Sequence, residues 1–388
     1  MMGLINDPFL QGGLLPQLYG QRLLILSSGT GGGHDSVATA IVEAVHTLTG
    51  GRLRVQVVAP LGRGVERMYA MALNYAPGLW GLGYHAGNVR AATSLEQHAI
   101  KLLWGKRVAS LLDKERPDLI LSVHALCAQA VDPIAHMLGI PHQCVITDLV
   151  DIHRTWSAPG VATYFVPTLQ AKLALLRRGV ERERIQLTGL PVRRAFWHGP
   201  TRSEKQRTRG RLQVLVMDGG RPGPALAATV RTLVESIPSL AMSVAWGGAS
   251  PIAHELRSRH QSCAIRHLDA SAEIAKEMRI ADVVVTKAGS VTIAEALATG
   301  RPLVLHRAAP GQEESNPDFV QALGAGVYAP NAARLCEMVT RLIEAPEEQG
   351  EMALCAAAAG RPTAAQHVAL HILLSLTTRA TQTVGAVG

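Results

Sequence analysis

Val283-Val284-Val285-Thr286-Lys287-Ala288-Gly289-Ser290-Val291-Thr292-Ile293-Ala294-Glu295-Ala296 is the stretch that decides the fold. Three valines and a threonine in a row read as a strand buried on both faces, as in a parallel sheet. Ala288 and Gly289 form a small-residue turn, and a helix follows with hydroxyl side chains in its first turn. A strand that hands over directly to a helix belongs to a βαβ unit, so parallel α/β architecture is expected. The same helix start has chemistry to offer. Its unpaired N–H groups and dipole attract phosphate. Lys287 adds a point charge, Ser290 and Thr292 offer hydroxyls, and Glu295 is placed to accept from ribose hydroxyls. Helix capping is the alternative reading of Glu295.

Working outward, the second half of the chain repeats the pattern. Strands are expected at Leu212–Met217, Met242–Ala245, Ala264–His267 and Leu303–Leu305, in addition to the one at Val283–Thr286. The first half carries its own series: Leu23–Ser27, Leu53–Ala59, Asp118–Val123, Gln143–Thr147, Thr163–Val166 and Ile185–Thr188, with helices such as Ser36–Leu48 and Leu95–Lys114 between them. The polar, basic run from His198 to Gly210 breaks the alternation and reads as a linker. The expected organisation is therefore a first domain over 1–198, a linker over 199–210 and a second domain over 211–360. A last segment, 361–388, holds a helix near Thr363–Thr377 that packs back on the first domain. Two open α/β sheets in succession are expected to face a cleft, with ligands beyond the carboxyl ends of their strands.

Three further segments fall at such strand ends. Ser27-Ser28-Gly29-Thr30-Gly31-Gly32-Gly33-His34 follows the first strand, and its glycines let backbone approach a ligand closely. A dinucleotide site would need an acid after the next strand, which ends Val57-Val58-Ala59-Pro60 instead. That disfavours a nicotinamide-dependent oxidoreductase. Asp148, in Thr147-Asp148-Leu149-Val150-Asp151-Ile152-His153-Arg154-Thr155-Trp156, ends a buried strand where an ionised carboxylate needs a partner or a task. Pro310-Gly311-Gln312-Glu313-Glu314-Ser315-Asn316 groups amides and carboxylates that suit a polyhydroxylated ligand.

Composition narrows the function classes. Hydrophobic residues make up 47% and charged residues 18%, enough for two buried cores. Aromatics are only 4%, which argues against base stacking on nucleic acid. The five cysteines are scattered without a CxxC pair, so neither a disulfide framework nor a zinc site is indicated. No apolar run is long enough to span a bilayer, and Met1–Gly20 lacks signal-peptide character. Of the net +8, residues 1–210 carry +9 and residues 211–388 carry −1. A one-sided positive field favours an anionic partner, and an ordinary solvated basic surface is the alternative. Between Gly62 and Lys106 a long excursion interleaves Met68, Tyr69, Met71, Leu73, Tyr75, Leu79, Trp80, Leu82 and Tyr84 with Arg63, Arg67 and Arg90. That mixture suits docking at a membrane interface, and completion of the first core is the alternative.

Taken in order, Gly29–His34, Thr147–Trp156, Tyr164–Pro167, Gly189–Arg193, Met217–Gly220, Thr286–Ala296 and Gly311–Asn316 resemble the monogalactosyldiacylglycerol synthases and processive diacylglycerol glucosyltransferases. More distantly they resemble the peptidoglycan lipid-intermediate N-acetylglucosaminyltransferase. The resemblance implies a GT-B fold, two Rossmann-like domains facing a cleft, with lipid acceptor in the first and nucleotide sugar in the second. It implies an inverting glycosyltransferase that moves a hexose from a UDP-sugar to diacylglycerol or a related lipid, with no cofactor and no bound metal. His34 and Asp148 fall on catalytic positions, and Gly32, Gly33, His153 and Trp156 on acceptor-side positions. Gly219, Gly220, Lys287, Gly289, Ser290, Thr292, Glu295, Gln312, Glu313 and Asn316 fall on donor-side positions.

The expected partners are a UDP-sugar, the lipid and an anionic membrane surface, with no nucleic acid, and the expected place is cytoplasmic and peripheral to the membrane. Two other readings compete: an N-acetylglucosamine transferase with a polyprenyl-diphosphate or non-lipid acceptor, and an inactive nucleotide-sugar- or nucleic-acid-binding protein. Three departures stand out. The phosphate turn lacks an additional glycine or proline, Asp218 stands where glycine is usual, and Arg154 stands where the galactosyl enzymes have proline.

Overall fold

The computed structural model describes residues 15–28, 32–62, 71–72, 75–198, 212–219, 224–238, 240–246, 264–268 and 271–385. The chain divides into two compact units, Met1–Arg194 with Thr363–Gly388, and Ala195–Pro362.

The first unit is built on β1 (Arg22–Leu26), α1 (Gly32–Thr49), β2 (Arg54–Val58), α2 (Pro77–Gly87), α3 (Arg90–Glu115), β3 (Leu119–Ser122), α4 (Ala125–Met137), β4 (His142–Val145), β5 (Thr163–Val166), α5 (Leu169–Arg177) and β6 (Ile185–Leu187). Its six strands are all parallel, in the order β2-β1-β3-β4-β5-β6. The central strands are apolar along their whole length because helices cover both faces: Leu23–Leu26 and Leu119–Leu121 are at most 1% exposed. Helix α3 ends on Arg116, whose left-handed φ of 45° lets its N–H reach the Leu112 carbonyl just before Pro117 stops the helix.

The second unit contains β7 (Gln213–Val216), α6 (Pro224–Ser236), β8 (Ala241–Ala245), β9 (Ala264–Leu268), α7 (Ser271–Ile280), β10 (Val283–Lys287), α8 (Ser290–Ala298), β11 (Leu303–Arg307), α9 (Asn316–Ala322), β12 (Gly326–Tyr328), α10 (Ala332–Glu344) and α11 (Pro346–Ala359). Its six strands are also parallel, in the order β12-β11-β10-β7-β8-β9. Strand β12 was not among the expected strands. Gly326 sits there because a Cβ would come within 2.5 Å of the Leu303 carbonyl oxygen.

The last helix, α12 (Ala364–Gly385), belongs to the first unit and packs on α1. Ala365, Val368, Ala369, Ile372, Leu373 and Leu376 form its buried stripe at helical spacing. Each large side chain in that stripe contributes roughly 1.5–3 kcal/mol by leaving water. Gln143 Nε2 donates to Ser375 Oγ at 2.9 Å, and Gln21 Nε2 to the Leu376 carbonyl at 3.4 Å.

A buried network also runs through the first sheet. Asp132 Oδ1 lies 2.9 Å from His142 Nδ1, and His142 Nε2 lies 2.9 Å from Ser122 Oγ. The order Ser–His–Asp is that of a hydrolase triad, but Ser122 is wholly buried, so no substrate reaches it. Its work is structural: the second Asp132 oxygen accepts from Gly160 N–H at 2.8 Å and ties down the loop before β5.

Each strand order reverses once, between β1 and β3 in the first sheet and between β7 and β10 in the second. Carboxyl ends at such a reversal are splayed by helices leaving on opposite faces, which opens a crevice for ligand.

Candidate active site

At the reversal of the first sheet, β1 runs into Ser27 and Ser28, and α1 begins at Gly32. Residues 29–31 lie outside the described residues, whereas Gly32 and Gly33 are exposed in the first turn. Ser27 Oγ donates to Asp35 Oδ1 at 2.5 Å, pinning this turn to the strand end. His34 follows. Its Nδ1 is 2.8 Å from the Val123 carbonyl oxygen, just past the end of β3, and 3.2 Å from Thr147 Oγ1. A carbonyl can only accept, so Nδ1 carries the proton and Nε2 the lone pair. Burial lowers the His34 pKa below 6.5, opposed by the Val123 hydrogen bond and the Asp35 charge. The ring is neutral at pH 7, with its basic nitrogen unprotonated.

Against it, edge to face, lies His124, with ring centroids 4.6 Å apart at 73°. His124 caps α4: its Nδ1 accepts from Leu126 N–H at 3.2 Å, which puts the proton on Nε2. Burial, then the neighbouring His34, hold its pKa well below 6.5. A single histidine after a strand looks like any capping residue in sequence, and His124 is not among the expected site residues. The contact with His34 is what distinguishes it.

Asp148, next to Thr147, accepts from Trp156 Nε1 at 2.7 Å. Trp156 is 2% exposed, so the indole serves as a wall and donor behind the carboxylate. Among the described residues the His34 ring hydrogen-bonds to Val123 and Thr147, and not to Asp148. His153 has both nitrogens engaged. Nδ1 accepts from Thr155 N–H at 3.3 Å and lies 2.7 Å from Thr155 Oγ1, while Nε2 donates to the Tyr84 carbonyl at 3.1 Å. Burial brings its pKa down to about 4.

His153 therefore works as a clamp. It holds α2 against the 148–156 loop, helped by Tyr84 Oη on the Asp151 carbonyl at 3.0 Å and Arg154 N–H on Asn88 Oδ1 at 2.9 Å. Arg178 closes the loop from below by donating to the Ile152 and His153 carbonyls.

The second sheet's reversal is built differently. Gly289 caps α8 without a side chain of its own, so the first-turn amides have no side-chain acceptor from the cap. Ser290 and Thr292 lie in that turn, and Glu295 is 2% exposed deeper in the helix. Lys287 Nζ donates to Glu313 Oε1 at 2.5 Å, and the other Glu313 oxygen accepts from Ala309 N–H at 3.0 Å. Gly219, with φ +76°, closes over Lys287, since a Cβ there would sit 3.2 Å from its Cε. Gly220 lies outside the described residues. Asn316 is fully buried and donates through Nδ2 to the Ala288 carbonyl at 2.8 Å, so it braces the turn from behind. Gln312 is half-buried in the same loop.

Asp218 finds a partner that sequence distance had hidden. Arg307 Nη2 donates to its Oδ1 at 2.7 Å and its Oδ2 at 2.6 Å. Among the described residues no group of three or more His, Cys, Asp or Glu is arranged to hold a metal ion. Cys127, Cys144, Cys336 and Cys355 are free thiols. No helix among the described residues is long and apolar enough to cross a membrane.

Comparison with known proteins completes the picture. Residues 34–192 match the family profile described as monogalactosyldiacylglycerol (MGDG) synthase, and residues 241–368 match the glycosyltransferase family 28 C-terminal domain. The chain is 30% identical over 345 residues to monogalactosyldiacylglycerol synthase 3, chloroplastic, of Arabidopsis thaliana, covering 82% of this chain and 73% of that one. It is 28% identical over 350 residues to the probable monogalactosyldiacylglycerol synthase 2, chloroplastic, of Oryza sativa subsp. japonica, covering 83% and 73%. Among solved structures, Acinetobacter baumannii MurG matches with a TM-score of 0.61 at 16% identity, covering 90% of this chain and 98% of that one. The chain belongs to the monogalactosyldiacylglycerol synthase family and is a glycosyltransferase of the GT-B fold.

Proposed function

We propose that the protein transfers a hexose from a UDP-sugar to the free hydroxyl of diacylglycerol or a related membrane lipid, with inversion at the anomeric carbon. The observation that carries this reading is the His34 tautomer: Nδ1–H is committed to the Val123 carbonyl, and Nε2 keeps its lone pair at the switch point of the first sheet. In the step proposed, the acceptor O–H bond breaks and its proton goes to His34 Nε2. The oxygen bonds to the anomeric carbon while the carbon–oxygen bond to the diphosphate breaks. UDP departs with that electron pair. The imidazolium that forms is stabilised by the Val123 carbonyl and by Asp35, two residues that favour the charged ring. Asp148, held by Trp156, lines the acceptor side with Gly32, Gly33 and the His153 clamp.

The donor half of the reading rests on the second unit. The first turn of α8, with Gly289, Ser290, Thr292 and Lys287, takes the diphosphate, and its fixed dipoles meet the charge that develops on the leaving group. Glu295 serves the ribose. Gln312, Glu313 and the brace Asn316 serve the sugar, and Gly219 lets backbone come close. The acceptor is membrane lipid, so the first unit has to reach a bilayer surface. Met71, Tyr75, Leu79, Leu82, Val89, Leu102 and Leu103 are 58–85% exposed on and around α2 and α3. With the +9 of residues 1–210, they support peripheral docking from the cytoplasmic side on anionic lipid. Met68, Tyr69, Leu73, Arg63 and Arg67 of the same excursion lie outside the described residues.

The test is turnover with diacylglycerol in anionic and in neutral vesicles, supplying UDP-galactose, UDP-glucose and UDP-N-acetylglucosamine in turn. Glycolipid formed from one hexose donor, faster on anionic vesicles, is the expected result. UDP release without glycolipid would discard the lipid acceptor, and no release with any donor would discard the reading.

A further inference from the structure

Arg307 arrives at the second sheet's switch point by an irregularity of the backbone. Strands β10 and β11 pair Val284 with Leu303, Val285 with Val304 and Thr286 with Leu305, but Lys287 then pairs with Arg307. His306 is thus an extra residue, a bulge in β11, and bulges re-aim the side chains that follow them. The Ala288 N–H still bonds to the Arg307 carbonyl at 2.6 Å, so the strand end is held while the side chain turns.

Strand β10 lies between β7 and β11. The guanidinium therefore reaches across the end of β10, two strand spacings or roughly 10 Å, to meet Asp218 after β7. The bridge passes over the root of the turn that leads into α8.

The charges there are arranged for an anion. The Asp218 side chain is 5% exposed, and burying a carboxylate is costly without a hydrogen-bonding partner, whereas the Arg307 side chain is 45% exposed. Both carboxylate oxygens take the same nitrogen, Nη2. Nη1 and Nε have no partner among the described residues. Lys287, the Cα neighbour of Arg307, is tied to Glu313 in the same way. Two cation-bearing residues thus start from paired positions at the ends of β10 and β11, each held by a carboxylate, and Lys287 Nζ lies beside Gly289, the cap of α8. Asp218 is also one of the departures from the resembled family, and Arg307 explains how a buried carboxylate is tolerated there.

We infer that Arg307 is a donor-binding residue of this protein, held by Asp218 so that its remaining N–H groups meet the diphosphate of the nucleotide sugar beside Lys287. The inference rests on the donor half of the proposed function. It adds a guanidinium, which recognises phosphate by shape as well as charge, to the lysine, hydroxyls and helix amides already assigned to the diphosphate among the described residues. Asp218 is the positioning residue.

Calorimetric titration of the full chain with UDP and with uridine tests it. For Arg307→Gln the UDP affinity should fall about tenfold, the loss of one charge-assisted contact, while uridine affinity stays within about twofold. Asp218→Asn leaves the guanidinium in place and should lose less than Arg307→Gln.

Arg307→Gln strands a buried carboxylate and can cost stability on that account alone. The double variant Asp218→Gly/Arg307→Gln removes both charges and should show the same UDP loss with the melting temperature restored. UDP binding unchanged in the double variant would make the pair a purely structural ion pair and overturn the inference. UDP and uridine weakened together would overturn it too, because the residue would then act by shaping the unit. Wild-type protein that binds no UDP at all would sink the donor reading itself, an outcome recognisable before any variant is made.

Discussion

The switch points of the two sheets occupy equivalent places in two related frameworks, yet they are built from opposite chemistry. Past β1 and β3 the two groups that meet are neutral imidazoles whose burial keeps them uncharged, tied to a carbonyl and a backbone amide, with the Asp35 carboxyl in the helix turn nearby. Past β7 and β10 the groups are ions in pairs, Lys287 with Glu313 and Arg307 with Asp218, beside a helix start capped only by glycine. A neutral, buried imidazole is suited to taking a proton. A cluster of cations held by carboxylates is suited to receiving an anion without collapsing when it is absent. The framework decides where the two sites sit, and a few side chains at the strand ends decide what each can do.

The hardest test of that contrast is His34→Gln. It keeps a polar side chain but removes the basic nitrogen, so kcat should fall by about 10²–10⁴. UDP affinity, which the proposed function assigns to the other unit, should not change. Equal loss of UDP binding would break the division of labour. The wild-type pH profile sharpens the same point. Burial lowers the His34 pKa, so the base stays unprotonated to more acid pH, and the acid limb of kcat/KM should lie below pH 6.5. A limb above that value would assign the step to another group.

Next in size is Lys287→Met, which removes one cation and leaves the Glu313 carboxylate, among the described residues, with the Ala309 amide alone. A loss of about 10–100-fold in kcat/KM is expected, from weaker binding and stabilisation of the departing diphosphate. An acceptor KM that rises while UDP affinity is kept would place Lys287 on the wrong side of the comparison.

How much of this could be read from sequence follows from what each feature depends on. Parallel strands advertise themselves because they are buried on both faces, as at Val283–Val285 and Leu23–Leu26. The three-residue β12 escaped because Gly326-Val327-Tyr328 is too short to show a period. Lys287, Gly289 and Glu313 could be singled out in the sequence because strand, turn and helix signals surround them, and the structure brings the three together. Their pairing could not be, since an ion pair across 26 residues, or across 89 for Asp218 and Arg307, leaves no local trace. The bulge at His306 was equally silent. It is a matter of register between two strands, and a single strand has none. His124 could not be told from an ordinary cap, because it is one; only the His34 ring set edge to face against it sets it apart.

The two units also differ in how they hold a second pair of histidines, both half-buried, and stability can show it. His153 and His306 are both brought down to about 4 by burial, so each is neutral when folded and near 6.5 when unfolded. The unfolded chain then takes up protons first, and stability should decline as pH falls from 6.5 toward 4. At pH 7.5 the two part company. His153 has both nitrogens hydrogen-bonded, and His153→Phe should cost about 1–3 kcal/mol in a denaturant titration. His306 Nε2 is buried without a partner among the described residues, so His306→Phe should cost less than about 1 kcal/mol at pH 7.5 and gain stability at pH 5. Equal costs would mean that the His306 nitrogen is satisfied by solvent or ligand.

The smallest effect asked for concerns His124, and it is the most discriminating. Asparagine is as good a cap as any side chain and can accept from Leu126 N–H, so His124→Asn should leave α4 and the melting temperature in place. What it removes is the ring standing edge-on to His34. An aromatic contact of that kind is worth about 0.5–1.5 kcal/mol. If that energy serves to hold the His34 ring with Nε2 toward the acceptor, kcat/KM should drop by about two- to tenfold, with UDP affinity untouched. A variant as active as wild type would reduce His124 to a cap and leave His34 oriented by Val123 and Thr147 alone. A loss as deep as that of His34→Gln would mean that the second imidazole handles the proton itself, and the first switch point would then be a two-histidine device.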